Sequence, residues 1–473
     1  MPRTSKPRFT WKSAPPAQAK RLIRLNNGFQ LLFNLLWWMP VFYQYQRDAG
    51  LSDAQIFAIQ GAYYVSFCVL EIPTGFLADR IGHRRALQLG AAVMVAANLI
   101  PVASPSVTGF LLHFLTIATA RSLVSGAASA YLYESLHARG AGEHYVQAEG
   151  TARSIGLWAK IGCWPLVGVL MQMRQELPYV LTAVCALGAL ACAVALPRLA
   201  APTSPRTAPA SAVATGPADG DGDGKGTGLL TSLFGALAVF RRSSALGPLM
   251  LQGVALFTLA RICQVNLFQP LLIDKDVPLT QHGAILSAMT IAEAVASARP
   301  EWLRRRLADT TSVTVLSLVL AFTLAATTTA GGAGTVVWLC LFAAVTGLAF
   351  PIQRNLVNSA IPDSRHRATL LSLESMLDRG VCALAAVAVG AYLAADRLDA
   401  LLVHSALGTC VLLAAVALVL RRLRRRGAPG LAGRASLPAP RDAALRDAAP
   451  RDAAPRAPDA GDSTPHAPAD RRK

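Results

Sequence analysis

Along most of this chain the apolar residues neither alternate nor form a one-sided stripe. They gather in runs of roughly 20 residues broken by short polar and basic stretches. Hydrocarbon offers no partner to backbone N–H and C=O groups, so such a run matches what one helix needs to cross a bilayer. The pattern predicts twelve spans. In the first half they cover 22–45, 54–77, 86–105, 108–131, 147–173 and 178–196, and in the second half 246–273, 282–303, 312–330, 335–358, 368–394 and 401–420. The expected fold class is an all-α integral membrane protein with 12 transmembrane helices in two six-helix, pseudo-symmetric halves, 22–197 and 245–420. Between them 198–244 is rich in Pro, Ala, Gly, Ser and Asp and reads as a cytoplasmic linker with one short amphipathic helix. The polar ends, 1–21 and 421–473, read as cytoplasmic tails.

Composition sharpens this picture. Of 473 residues 53% are hydrophobic and 15% charged, with a mean hydropathy of +0.40. Soluble domains carry about 25% charged residues, so lipid is the expected solvent. A formal net charge of +18 would suit a nucleic-acid partner, but the basic residues cluster in alternate loops: Arg80, Arg84 and Arg85, then Arg139, then Arg198, Arg241 and Arg242, then Arg304 to Arg306, Arg365 and Arg367, and Arg421 to Arg426, the other loops holding only Arg47, Arg174, Lys275 and Arg397. By the positive-inside rule these loops and both termini are cytoplasmic, in a multi-pass protein of the plasma membrane. The first span ends in Tyr43-Gln44-Tyr45-Gln46 without a small-residue cleavage site, so it reads as a retained helix rather than a signal peptide. Eight cysteines are scattered through apolar runs without a C-x-x-C pair, which argues against a disulfide framework or a zinc site. Asp219 to Gly224 imitates the opening of a calcium loop, but Leu230 stands where the bidentate Glu belongs. No H-E-x-x-H and no G-x-x-x-x-G-K occurs, so neither a metalloenzyme nor an ATP-driven machine is expected, and no metal or cofactor.

The hairpin between the second and third spans carries the sharpest motif. Gly75, Asp79, Arg80, Gly82, Arg84 and Arg85 form G-x-L-x-D-R-x-G-x-R-R, with glycines for close packing and a sharp turn and Asp79 placed to accept from the arginines. It resembles the loop between the second and third helices of major facilitator superfamily transporters. The Glu71-Ile72-Pro73-Thr74-Gly75 stretch before it and Arg367 to Ser372 at the start of span eleven also resemble that superfamily. The resemblance implies that spans 1, 4, 7 and 10 line a cavity and that 3, 6, 9 and 12 lie outside. The distribution of charge agrees: spans 3, 6, 9 and 12 hold no Asp, Glu, Lys or Arg in their interiors. A charge at the bilayer centre costs about 2.5–3.5 kcal/mol, so charged spans should face a polar interior.

Those buried charges are the candidate site. Arg121 lies mid-span four, where the resemblance implies a residue associated with proton coupling, although Gly126 follows one position later than usual. Lys160 is central in span five, ahead of Pro165 and Gly168, which match part of an antiporter motif in which Trp164 and Val169 replace glycines. Arg261 and Gln264 in span seven, Glu293 in span eight and Asp378 in span eleven complete the set, with Asn34 heading a neutral stripe of Asn26, Asn27 and Gln30 on span one. A lone carboxyl in a low-dielectric cavity can exchange protons near neutral pH, which makes Glu293 the proton carrier; the alternative is a static ion pair with Arg261 or Arg379. Within the two-half symmetry, Leu51-Ser52 and Leu279-Thr280 read as equivalent polar helix caps, with Ser52 and Gln55 forming a capping box. The expected function is alternating-access transport, as proton-coupled export of an amphipathic compound or drug. Uptake of an organic anion and a transporter-fold sensor are the alternatives. The expected partners are a small-molecule substrate, protons and membrane lipid, with the chain acting as a monomer and binding no nucleic acid.

Overall fold

A computed structural model describes residues 16–198, 245–361 and 367–425. The expected linker helix and nearly all of both tails lie outside the described residues, as do the side chains of Arg367, Ala368 and Thr369. Among the described residues every regular element is helical. The first half comprises α1 (Ala17–Asn34), α2 (Phe42–Asp48), α3 (Asp53–Ile81), α4 (His83–Ala103), α5 (Val107–His137), α6 (Tyr145–Cys163), α7 (Val167–Met173) and α8 (Leu177–Ala195). The second comprises α9 (Leu246–Arg261), α10 (Phe268–Asp274), α11 (Leu279–Ser297), α12 (Glu301–Arg304), α13 (Asp309–Ala326), α14 (Gly332–Ala360), α15 (Arg367–Ala394) and α16 (Leu398–Arg425).

Ten of the described spans are long and apolar enough to cross a membrane. The two expected spans outside that count are the first and the eighth, for different reasons. The first is not one helix: α1 stops at Asn34 and the chain resumes as α2 only at Phe42. Pro40 explains the gap, because proline removes an N–H and pushes the preceding residue out of the helical region. The eighth, α11, is continuous but holds Gln281, His282, Ser287, Thr290 and Glu293, and it ends at Ser297 rather than reaching 303.

Pairings inside the two halves recur six spans apart. In the first half α3 packs on α5, α4 on α5 and α8, and α1 on α8 and α6; in the second α11 packs on α14, α13 on α14 and α16, and α9 on α16 and α15. The joint between halves obeys the same rule, with α3 against α15 and α11 against α6 and α7. The caps fix the register more firmly than the sequence did. Gly50 (φ 86°) and Asp276 (φ 53°) are equivalent left-handed helix ends, each donating to the carbonyl three residues back while the next residue donates five back. Ser52 is therefore matched by Pro278, not by Thr280: Ser52 and Gln55 close a capping box, whereas α11 starts at Leu279 behind Pro278 without a side-chain cap.

Both joints are tight at one end only. At the end opposite the Gly82 turn, Gly283 of α11 lies on the Trp164 carbonyl and Gly168 of α7 on the backbone of Leu279 and Thr280. On the other joint Gly390 meets Ala54 and Phe57, and Gly61 meets the Ala383 carbonyl. Further along the same helices, towards the basic end, Gly75, Gly156 and Gly380 face open space. The close glycine contacts between the halves thus lie at the far end. Gly283→Ala should lower the melting temperature, since an added Cβ meets backbone and overpacking costs about 1–3 kcal/mol. Gly75→Ala, facing open space, should leave it unchanged, and equal losses in a thermal-shift assay would refute this account of the seal.

Candidate functional site

Three spans are interrupted, each beside a proline. In span one the segment between α1 and α2 runs past Pro40. In span five Trp164–Leu166 tightens into a 3₁₀ turn around Pro165, and in span seven Ile262–Leu267 widens into a π-helical stretch ahead of Pro270. Proline cannot supply the bond that the carbonyl four residues earlier expects, and that carbonyl belongs to Asn266 in span seven.

Side chains from other helices satisfy the freed backbone. Trp37 N–H donates to Thr182 Oγ1 at 3.0 Å, and the Trp164 indole donates to the Leu36 carbonyl at 3.1 Å. Gln269 of α10 is fully buried and serves three groups of the opposite half: its Oε1 accepts from Tyr43 N (3.1 Å) and Gln44 N (3.3 Å), and its Nε2 donates to the Met39 carbonyl (3.3 Å). This latch lies at the sealed end. Below it, Tyr64 donates to Asn266 Oδ1 at 3.2 Å across the two halves.

A cavity of about 150 Å³ opens beneath the latch, lined among others by Trp38, Gln60, Tyr63, Phe114, Arg121 and Arg261. Trp38 is held rigidly: its indole donates to Asn98 Oδ1 at 2.8 Å and its ring stacks on Tyr179 at 5.8 Å. The second half neutralises its own charges. Arg261 Nη2 lies 2.8 Å from Asp378 Oδ2, Thr258 donates to Asp378 Oδ1 at 3.2 Å, and Arg354 lies 3.4 Å from Glu374. Glu293 accepts from Gln264 Nε2 at 3.4 Å. Arg379 sits over the Phe67 ring, 3.6 Å from its centre. The first half is different. Among the described residues Arg121 has no hydrogen-bond or ion-pair partner, and Lys160 has only the Trp164 ring, 5.7 Å from its Nζ.

The structure thus brings Arg261 together with Asp378, and Gln264 with Glu293, while Arg121 and Lys160 face them from the first half. The alternative for Glu293, a static pair with Arg261 or Arg379, is absent among the described residues: Asp378 occupies Arg261 and Arg379 lies on Phe67. Asn34 is turned onto its own helix, donating to the Gln30 carbonyl (2.8 Å) and to Gln30 Oε1 (3.1 Å). The loop motif also departs from expectation. Gly82 makes the turn at φ 90°, but Gly75 packs on nothing, and Asp79 is exposed without a partner among the described residues. Arg80 lies over Phe76, and Arg84 instead caps the end of α8, donating to the Leu196 carbonyl at 2.7 Å and to the Val194 carbonyl. Gln60, Tyr64 and the Arg354–Glu374 pair escaped the sequence reading; a polar pair four residues apart on one apolar span was the available signal for the first two.

The family model of the Major Facilitator Superfamily matches residues 28–386. The chain therefore belongs to this superfamily of transporters. Among solved structures it is similar to the nucleoside transporter NupG, with 16% identity, a TM-score of 0.68 and coverage of 86% of this chain and 100% of that one. It is also similar to a POT family transporter in complex with a thioalcohol-conjugated peptide, at 13% identity and a TM-score of 0.62, covering 86% of this chain and 97% of that one. At such identities the likeness is one of fold. No curated protein sequence matches the chain.

Removing the latch should loosen the sealed end. Gln269→Ala leaves three backbone groups of the opposite half short of a partner, a loss of about 1–3 kcal/mol for each buried group left unsatisfied. In a cysteine-free background carrying Gln60→Cys, a membrane-impermeant thiol reagent added from the Gly50 side should react several-fold faster once Gln269→Ala is added. An unchanged rate would remove Gln269 as the latch.

Proposed function

We propose that this chain is a secondary transporter that moves a small molecule by alternating access, with the basic end in the cytoplasm and with protons as the coupled ion. The observation that carries this reading is the contrast between the two ends of one interface. Gly61, Gly168, Gly283, Gly390 and Gln269 make close contacts between the halves at the far end, while Gly75, Gly156 and Gly380 towards the basic end of the same joints face open space. Rocking the halves about α3–α15 and α6–α11 would close one end as the other opens.

Glu293 is the proton-exchanging group in this reading. It has no ion-pair partner among the described residues, and Gln264, which donates to it, can serve either protonation state. Export of an amphipathic compound is the first assignment, because the cavity has an aromatic wall of Trp38, Tyr63 and Phe114. A second reading, uptake of an organic anion, is favoured by one feature, the unpartnered guanidinium of Arg121.

Asp79 gains its role in the opposite state. Exposed and without a partner among the described residues, it would meet the N-terminus of α15 when the basic end closes, where the helix dipole attracts a carboxylate by about 0.3–1 kcal/mol. Asp79→Asn should therefore raise labelling of cysteines on the cytoplasmic side of α3 and α15. Unchanged labelling would abolish that role.

Coupling is tested by counterflow in proteoliposomes with and without a pH gradient. Glu293→Gln should abolish the response to the gradient while exchange of substrate for substrate persists. Gradient-driven transport that survives in Glu293→Gln would remove Glu293 as the carrier.

A further inference from the structure

We propose that the substrate is a single-ring aromatic acid with one carboxylate, held by Arg121 and the Gln60 amide at its charged end and laid against Trp38, Phe42, Tyr63 and Phe114 at its ring. This rests on the transport reading and adds the chemical class of what is carried.

The cavity beneath the latch has a wall made of rings. Trp38, Phe42, Tyr63 and Phe114 all line it. Phe114 stands at their centre, its ring centre 5.8 Å from that of Trp38, 6.3 Å from that of Phe42 and 6.0 Å from that of Tyr63, each edge to face. The wall is set before anything binds, because Asn98 Oδ1 holds the Trp38 indole at 2.8 Å and Tyr179 stacks on the same ring at 5.8 Å. Rings gain from offset or edge-to-face contact beyond the area they bury, so such a surface favours a flat arene over an aliphatic body of equal size. At about 150 Å³ the space suits one six-membered ring, since an apolar cavity of that size takes up benzene.

Two cations line the same cavity, and only one is compensated there. Arg261 donates to Asp378 Oδ2 at 2.8 Å, and Thr258 donates to the other oxygen of that carboxylate at 3.2 Å. Arg121 is half-buried and has no hydrogen-bond or ion-pair partner among the described residues, and no carboxylate is among the residues lining the cavity. The wall therefore carries one unbalanced positive charge. A guanidinium that is partly desolvated and unpaired is unfavourable, and a single carboxylate both neutralises it and matches its forked N–H groups. Gln60 gives independent support. It lines the cavity and is only 2% exposed, yet its amide makes no hydrogen bond among the described residues, and Nε2 is buried without an acceptor. Buried amide donors are normally paired, and a ligand oxygen is what this one lacks. A substrate cation would meet Arg121 as a like charge, and a second anionic group has no free cation on the wall to receive it.

The test uses the purified full-length chain in lipid nanodiscs and isothermal titration calorimetry. The probes are benzoate, phenylacetate and hydrocinnamate, each set beside its primary amide and beside the cyclohexane acid of the same chain length. At least one arene acid should bind about tenfold or more tighter than its amide and about threefold or more tighter than its cyclohexane analogue. Lipid takes up the uncharged amide more readily than the acid, so a preference for the acid reports the site and not the bilayer. Arg121→Gln should erase the difference between acid and amide, Arg121→Lys should restore part of it, and Gln60→Leu should weaken the acid several-fold. Phe114→Leu should erase the difference between arene and cyclohexane while the acid stays preferred to the amide. The comparisons among ligands need no variant, so they decide the matter should Arg121→Gln not fold. No binding of any arene acid, amides that bind as tightly as the acids, cyclohexane acids that match them, or an acid preference that survives Arg121→Gln would each overturn the proposal. Counterflow separates this proposal from the reading beneath it. An arene acid that binds with these preferences but is never exchanged keeps the site and sinks transport. Exchange of uncharged compounds by a protein that shows no preference for the acid keeps transport and sinks the site.

Discussion

Hydrocarbon solvates neither a backbone amide nor a charge, and that single constraint shapes both the cavity and the seal above it. Pro40, Pro165 and Pro270 each release backbone groups inside the membrane, and in span one the release is answered by side chains from elsewhere. Thr182 and Trp164 answer for span one within the first half. Gln269 answers for the same span from across the joint, so the bonds that make the broken helix tolerable also hold the halves together. Close glycine contacts at the same end add dispersion without adding polar groups.

The two halves share a packing plan but not a charge plan. Every major helix pairing of the first half has a partner six spans later, joints included. The second half nevertheless pairs Arg261 and Arg354 with its own carboxylates, while among the described residues Arg121, Arg153 and Lys160 of the first half have no ion pair. The duplicated scaffold thus carries unequal charges on its two sides. A locked ion pair such as Arg261–Asp378 is suited to setting shape, and an unpartnered cation to binding.

Much of the fold could be read from the chain because long apolar runs have few structural solutions. The spacing of those runs and the alternation of Arg-rich loops pointed to two six-span halves, and the absence of charge from every third span separated outer helices from inner ones. Local detail was legible where a residue type acts on its own backbone, as at Ser52 with Gln55, at Gly82 and at Pro165. It was lost where the outcome depends on a distant partner. Arg261 meeting Asp378 rather than Glu293 depends on how span seven rotates, and its π-helical stretch follows from a proline several residues further on. Arg84 capping α8 instead of pairing with Asp79 depends on where span six ends. Asp79 and Gly75 make no contact among the described residues that the motif alone could have announced.

The central claim is that the halves rock as units about two joints, closing one end as the other opens. Spin labels at Phe76 and Leu377, exposed on α3 and α15 towards the basic end, and in a second sample at Asp48 and Asp274 at the far end, measure this directly by pulsed electron–electron resonance in lipid nanodiscs. The account predicts two distance populations for each pair, changing in opposite senses with pH, the long basic-end distance going with the short far-end one. A single invariant distance for both pairs, or ends that lengthen together, would contradict it.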